Sequence, residues 1–206
     1  MQQGGRLAGI RLCVGFSLIV ASCLLGPSVP SWSQASKIDT GAPQKPKAPA
    51  PTVRYDTDDL PRAVVELREA LLAAIEAGQI EELRHALDLS HIKPDTGTPP
   101  NIDPIAHWKG TSGDTQGREV LAALSLVLDT GYVAVRRGTD IENNLLYVWP
   151  YFAELALNQL TPRQEVELLR LVPAGAAREM KAKGKYTGWR LVIGADGAWH
   201  TFRTGE

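Results

Sequence analysis

Cysteine is nearly absent from this chain, and its placement narrows the chemistry. Cys13 and Cys23 are the only two, and both fall in an N-terminal apolar run. Once that run is removed, no disulfide staple, thiol nucleophile or thiolate metal site is left. Stability then rests on a hydrophobic core. Histidine is also scarce: His85, His91, His107 and His200 show no H-x-H or H-E-x-x-H spacing, so neither a metal site nor a cofactor is predicted. The closest approach to a nucleophile motif is Thr111-Ser112 within Gly110–Asp114, with His107 upstream. It lacks the G-x-S-x-G spacing, and the following Thr115-Gln116-Gly117 favours a helix-capping turn. No catalytic residue is therefore assigned. There is no internal repeat, and there is no excess of basic charge of the kind that binds nucleic acid.

At the N-terminus Arg6 and Arg11 stand without an acidic residue, followed by an apolar run from Leu12 to Leu25 and a breaker stretch with Gly26, Pro27 and Pro30. This is the layout of a secretory signal. The run is shorter than the about 20 residues of a membrane span. Small residues at Ser33 and Ala35 predict cleavage after Ala35, making 1–35 a signal peptide and the product periplasmic or secreted. A second reading takes Val20-Ala21-Ser22-Cys23 as a lipobox, with Cys23 lipidated and the protein anchored to the envelope membrane. Leu24 and Leu25, which prolong the apolar run past Cys23, count against it. Loss of Arg6 and Arg11 leaves 20 basic against 23 acidic residues. Membrane association is expected only through lipidation at Cys23.

Residues 36–57 are rich in Pro, Ala and Lys and read as a semi-extended linker. The remainder, 58–206, reads as one α+β domain: an N-terminal helical hairpin and further helices packed on a small antiparallel sheet. Val64, Leu67, Leu71 and Ala74 form one helical stripe that stops at Gly78; Ile80, Leu83 and Leu87 form a second. A polar segment from Ser90 to Gln116 carries four prolines, and its length marks it as functional or mobile. Val120, Leu121, Leu124, Val127 and Leu128 predict a core helix over about 116–129. Tyr132–Arg136 and Leu145–Trp149 are β-prone, Thr161-Pro162-Arg163-Gln164 is a capping box that opens a helix, and a further short helix ends near Gly184. Two last strands flank Gly194–Gly197.

In that terminal hairpin, side-chain alternation puts Trp189, Leu191, Ile193, His200 and Phe202 on the core face, and Arg190, Val192, Trp199, Thr201 and Arg203 on the other. Arg190 opposite Arg203 is a like-charge pair, which favours a four-residue loop over the two-residue register. Trp199 beside Arg190 and Arg203 is a set suited to stacking on a flat ring and holding an anion, and these three residues are the candidate ligand site.

The runs Tyr147–Phe152, Leu160–Leu168 and Ile193–Phe202 resemble an uncharacterised family of exported bacterial proteins. That resemblance implies export and no particular activity. The resulting expectation is a non-catalytic envelope domain that binds a small ligand or an envelope protein. The alternative is an envelope hydrolase built from Asp103, His107, Asp114 and Glu119 in the 103–119 region.

Overall fold

The apolar stripe from Val64 to Ala74 folds as helix α1 (Arg62–Ala77), which ends at Gly78 in the left-handed conformation, φ 63°, with its N–H donating to the Ile75 carbonyl. A 3₁₀ turn at Ile80–Glu82 leads directly into α2 (Leu83–Leu89), completing the expected helical hairpin. This computed structural model describes residues 51–139 and 144–205. The expected signal peptide, the alternative lipidation site Cys23 and the expected linker as far as residue 50 lie outside the described residues.

The long polar segment contains a helix that its composition concealed, α3 (Pro104–Thr111), with Asp103 as N-cap and proline in the first turn. Helix α4 (Arg118–Leu128) follows and buries the predicted stripe from Val120 to Leu128. The turn between them lies against the first hairpin. A Cβ at Gly117 would fall 2.4 Å from Ile80 Cδ1, and φ there is 80°, so both space and backbone require glycine. Helix α5 (Pro162–Leu171) begins with the complete Thr161–Gln164 capping box, and α6 (Ala174–Lys183) ends at left-handed Gly184.

Five antiparallel strands form one meander: β1 (Val53–Arg54), β2 (Tyr132–Arg136), β3 (Leu145–Trp149), β4 (Trp189–Gly194) and β5 (Trp199–Thr204), in that spatial order. The molecule is α+β. Strand β1 belongs to the stretch read as linker, and Val53 stands opposite Val133. Alternation along the strands divides the interior in two. Tyr132, Trp149, Leu191, Ile193 and Phe202 join the apolar stripes of α1, α3 and α4 in one core. Val133 and Val148 point the other way, into a second core with Tyr151, Phe152, Leu168 and Tyr186.

The terminal hairpin departs from strict alternation. Leu191 faces Phe202 and Arg190 faces Arg203, the two-residue register, and then the register shifts between Val192 and Ile193. Trp199, rather than His200, stands opposite Ile193. The irregularity turns Trp199 into the first core, where it is wholly buried, 6.2 Å from the Trp108 ring centroid. Its assignment to the face of Arg190 and Arg203 is therefore corrected: one extra residue in a strand reverses everything beyond it. The like-charge pair that argued against this register is offset by Asp95, whose Oδ2 lies 3.2 Å from Arg203 Nη1.

Asp95 belongs to the segment between α2 and α3, which runs along the free side of β5. The Asp95 N–H donates to His200 O at 2.8 Å, and Phe202 N–H donates to Asp95 O at 2.9 Å. The buried Trp199 N–H donates to Ser90 Oγ at 3.0 Å. These bonds satisfy backbone groups that an edge strand leaves open.

Candidate functional site

The four residues of the expected hydrolase fall in two places, Asp103 and His107 at α3 and Asp114 with Glu119 at the start of α4. Asp103 caps α3 and pairs with Arg84 at 3.0 Å; the Arg84 hydrogen bond holds its carboxyl below the usual carboxylate range. Asp114 accepts from the Ser112 hydroxyl and from the N–H groups of Gly117 and Arg118 at 3.0 and 2.9 Å. The Ser112 bond, followed in weight by those backbone bonds, likewise depresses its pKa. Glu119 turns back to Gly113 N–H at 2.7 Å and approaches Ser112 Oγ at 3.4 Å. Asp114 and Glu119 thus meet around the start of α4, the capping turn the sequence predicted, where both complement the helix N-terminus. His107 lies elsewhere, on α3. Among the described residues, no group of three or more His, Cys, Asp or Glu is arranged to hold a metal ion.

His107 instead borders a cleft of about 380 Å³ between α3, the end of the terminal hairpin and the 96–97 bend. Its wall includes Trp108, Thr111, Trp189, Arg203 and Thr96, and no carboxylate is among its lining residues as far as the described residues go. Each element contributes for a local reason. Helix α3 carries His107, Trp108 and Thr111 on adjoining turns, and the Thr111 hydroxyl donates to His107 O at 2.9 Å. The bend is set by Gly97 at φ 72°, whose N–H donates to Asp95 Oδ1 at 3.1 Å. Trp189 opens β4 and stacks on Phe202, centroids 4.8 Å apart. Arg203 donates from Nε to Thr204 O and from Nη1 to Asp95, which fixes its guanidinium at the edge of the sheet.

Trp108 supplies the least satisfied group in this wall. Its side chain is 2% exposed, and its Nε1–H is buried without an acceptor. A buried unpaired donor costs about 1–3 kcal/mol. Its rings are otherwise well packed, edge-on to Phe202 at 6.0 Å.

Of the three ligand residues expected from the sequence, Arg203 alone lines the cleft. Trp199 packs beneath it in the core. Arg190, opposite Arg203 on the ladder, is half-buried with its Nε unpartnered and is not part of the cleft wall. Trp108 and the Thr96-Gly97 bend went unread in the sequence. Trp108 carried a signal nonetheless, as the one aromatic side chain between Ser90 and Gln116.

A second polar cluster occupies the other face. Tyr55 and Tyr151 both donate to Glu167, at 3.0 and 2.8 Å, and the Arg163 guanidinium lies 5.7 Å from the Tyr55 ring centroid. Burial, then the Glu167 hydrogen bond, pushes both phenols up. This cluster ties the residue after β1 to α5, and Glu167 is spent on the two phenols.

The chain matches no protein-family model, no curated protein and no solved structure. No helix among the described residues is long and apolar enough to cross a membrane.

Proposed function

We propose that the protein is an exported envelope domain, periplasmic or secreted, that acts as a non-catalytic binding module and takes a small ligand in the cleft between α3 and the terminal hairpin. The observation that carries this reading is the composition of one wall: Arg203, His107 and three threonines beside two tryptophans, with no carboxylate among the described lining residues. About 380 Å³ lies within the ~300–1,000 Å³ that small-molecule sites occupy, and several polar groups converge on it beside two tryptophans. The engagement of Asp103, Asp114 and Glu119 in caps and ion pairs weighs against hydrolysis by the 103–119 region.

The test is two-dimensional NMR of the isotope-labelled protein against a library of small acids, amides and amines. Perturbations clustered on Thr96, His107, Thr111 and Arg203 support the cleft. Perturbations centred on Asp114 and Glu119, with turnover of the added compound, would replace this reading with the hydrolase. Export is tested separately by the mass of the mature chain: a start at Ser36 marks a processed soluble product, and a lipid-bearing Cys23 marks an anchored one.

A further inference from the structure

We infer that the groove between α5 and α6 is a second binding site, one that takes a single alkyl chain of about eight carbons ending in a carboxylate. It shares no lining residue with the cleft and stands or falls independently of it. Glu165, Leu168 and Leu169 recur at i, i+3 and i+4 on α5, and Ala174, Ala177, Arg178 and Lys181 at i, i+3, i+4 and i+7 on α6. Each helix thus turns one face to the groove. Leu168 and Ala177 form a buried floor, 1% and 4% exposed, whereas Leu169 on the rim is 51% exposed. The space is about 200 Å³. A cavity of about 150 Å³ holds benzene, so this one suits roughly eight carbons. None of its described lining residues is aromatic, and leucine and alanine walls form no flat slot, which favours a flexible chain over a ring.

Charge complementarity selects the head group. Glu165, the one carboxylate among the described lining residues, pairs with Lys181. The Arg178 side chain has neither ion pair nor hydrogen bond among the described residues. Arg178 lines the groove and is exposed, so a carboxylate at the end of the chain meets it at the water boundary without being dehydrated. A cationic head would find only a carboxylate already taken. A bilayer fits less well, because an interfacial helix needs a continuous apolar face. Val166 and Leu169 are the large apolar side chains that α5 exposes, and Arg163, Glu165, Glu167 and Arg170 interrupt them.

The test is titration of the full chain, by NMR and calorimetry, with butanoate, hexanoate, octanoate and dodecanoate below their micelle concentrations, and with octan-1-ol and octylamine. Shifts are expected at Leu168, Leu169 and Ala177. Affinity should rise roughly fourfold per buried methylene as far as octanoate, then level off because further carbons reach water. Octanoate should bind about two- to fivefold more tightly than octan-1-ol, the range of an exposed ion pair, and octylamine more weakly than either. Arg178→Gln should erase the preference for the acid and keep the dependence on chain length. Ala174→Leu, at an exposed position of the wall, should weaken every chain. Equal binding of octanoate and octylamine overturns the carboxylate head. A gain that continues through dodecanoate, or equal shifts with phosphatidylglycerol vesicles, makes this a bilayer contact and overturns the single-chain site. Shifts at Leu168 and Leu169 that grow with protein concentration alone make the occupant a second copy and overturn it as well. If no chain perturbs Leu168, Leu169 or Ala177, the site is refuted whatever Thr96 and His107 report about the cleft.

Discussion

The two faces of the sheet are filled by different means. On the α1–α4 side, three fully buried tryptophans, Trp108, Trp149 and Trp199, pack with Phe202 and the leucines of three helices. On the α5–α6 side the apolar cluster is smaller, and a buried tyrosine and a half-exposed one converge on a single carboxylate, Glu167. Burial of large rings is strong but indifferent to direction, whereas hydrogen bonds to a mostly covered carboxylate are weaker and fix orientation. The first face should therefore respond chiefly to lost volume, and the second to lost donors and to alkali.

The largest expected effect is on the first face. Trp199→Ala should destabilise the protein by about 3–5 kcal/mol in urea unfolding, through lost burial and the cavity left between Trp108 and Ile193. A loss below about 1 kcal/mol would mean that the ring does not fill the core. Next, on the second face, Tyr151→Phe preserves the ring and removes one donor to Glu167, for an expected loss of about 1–2 kcal/mol. If it costs as much as the tryptophan, the distinction between the faces fails.

Alkali sharpens the same contrast. All five tyrosines have raised pKa values, with burial the largest cause in each, and Tyr151 and Tyr186 on the second face are shifted furthest. Below the unfolded-state value of about 10 both states keep the proton, and the stabilisation is fully present. Above it the unfolded chain releases protons that the folded chain retains, so stability falls as pH rises toward the folded-state values. Absorbance titration should show Tyr151 and Tyr186 ionising last, with unfolding, and Tyr151→Phe should flatten the decline. The smallest effect concerns helix α5 alone: Thr161→Ala removes the reciprocal cap and should cost about 1 kcal/mol by thermal melting.

What the sequence revealed follows from which interactions are local. Helix stripes, the Thr161 capping box and strands Tyr132–Arg136 and Leu145–Trp149 depend on neighbours a few residues apart, and all were legible. Strand β1 was not, because its two residues sit beside a proline-rich stretch and become a strand only by pairing with β2. Helix α3 was hidden among prolines and glycines that read as loop. Of the cleft's residues, Arg203 was legible as a ligand group, and His107 and Thr111 only as parts of a nucleophile-like run. Trp199 was misplaced because a register irregularity leaves the hydrophobic alternation unchanged in the sequence, and the Arg190–Arg203 pairing was discounted because the charge that offsets it, Asp95, lies 108 residues from Arg203.

The segment at Asp95 has a consequence for assembly. A strand from a second copy could extend the sheet at β5 only by taking over the bonds at His200 O and Phe202 N–H that Asp95 now holds. Lifting the segment away would carry Thr96 and Gly97 out of the cleft wall. On the proposed binding reading, a compound that fills the cleft would therefore also, by mass action, oppose pairing at this edge.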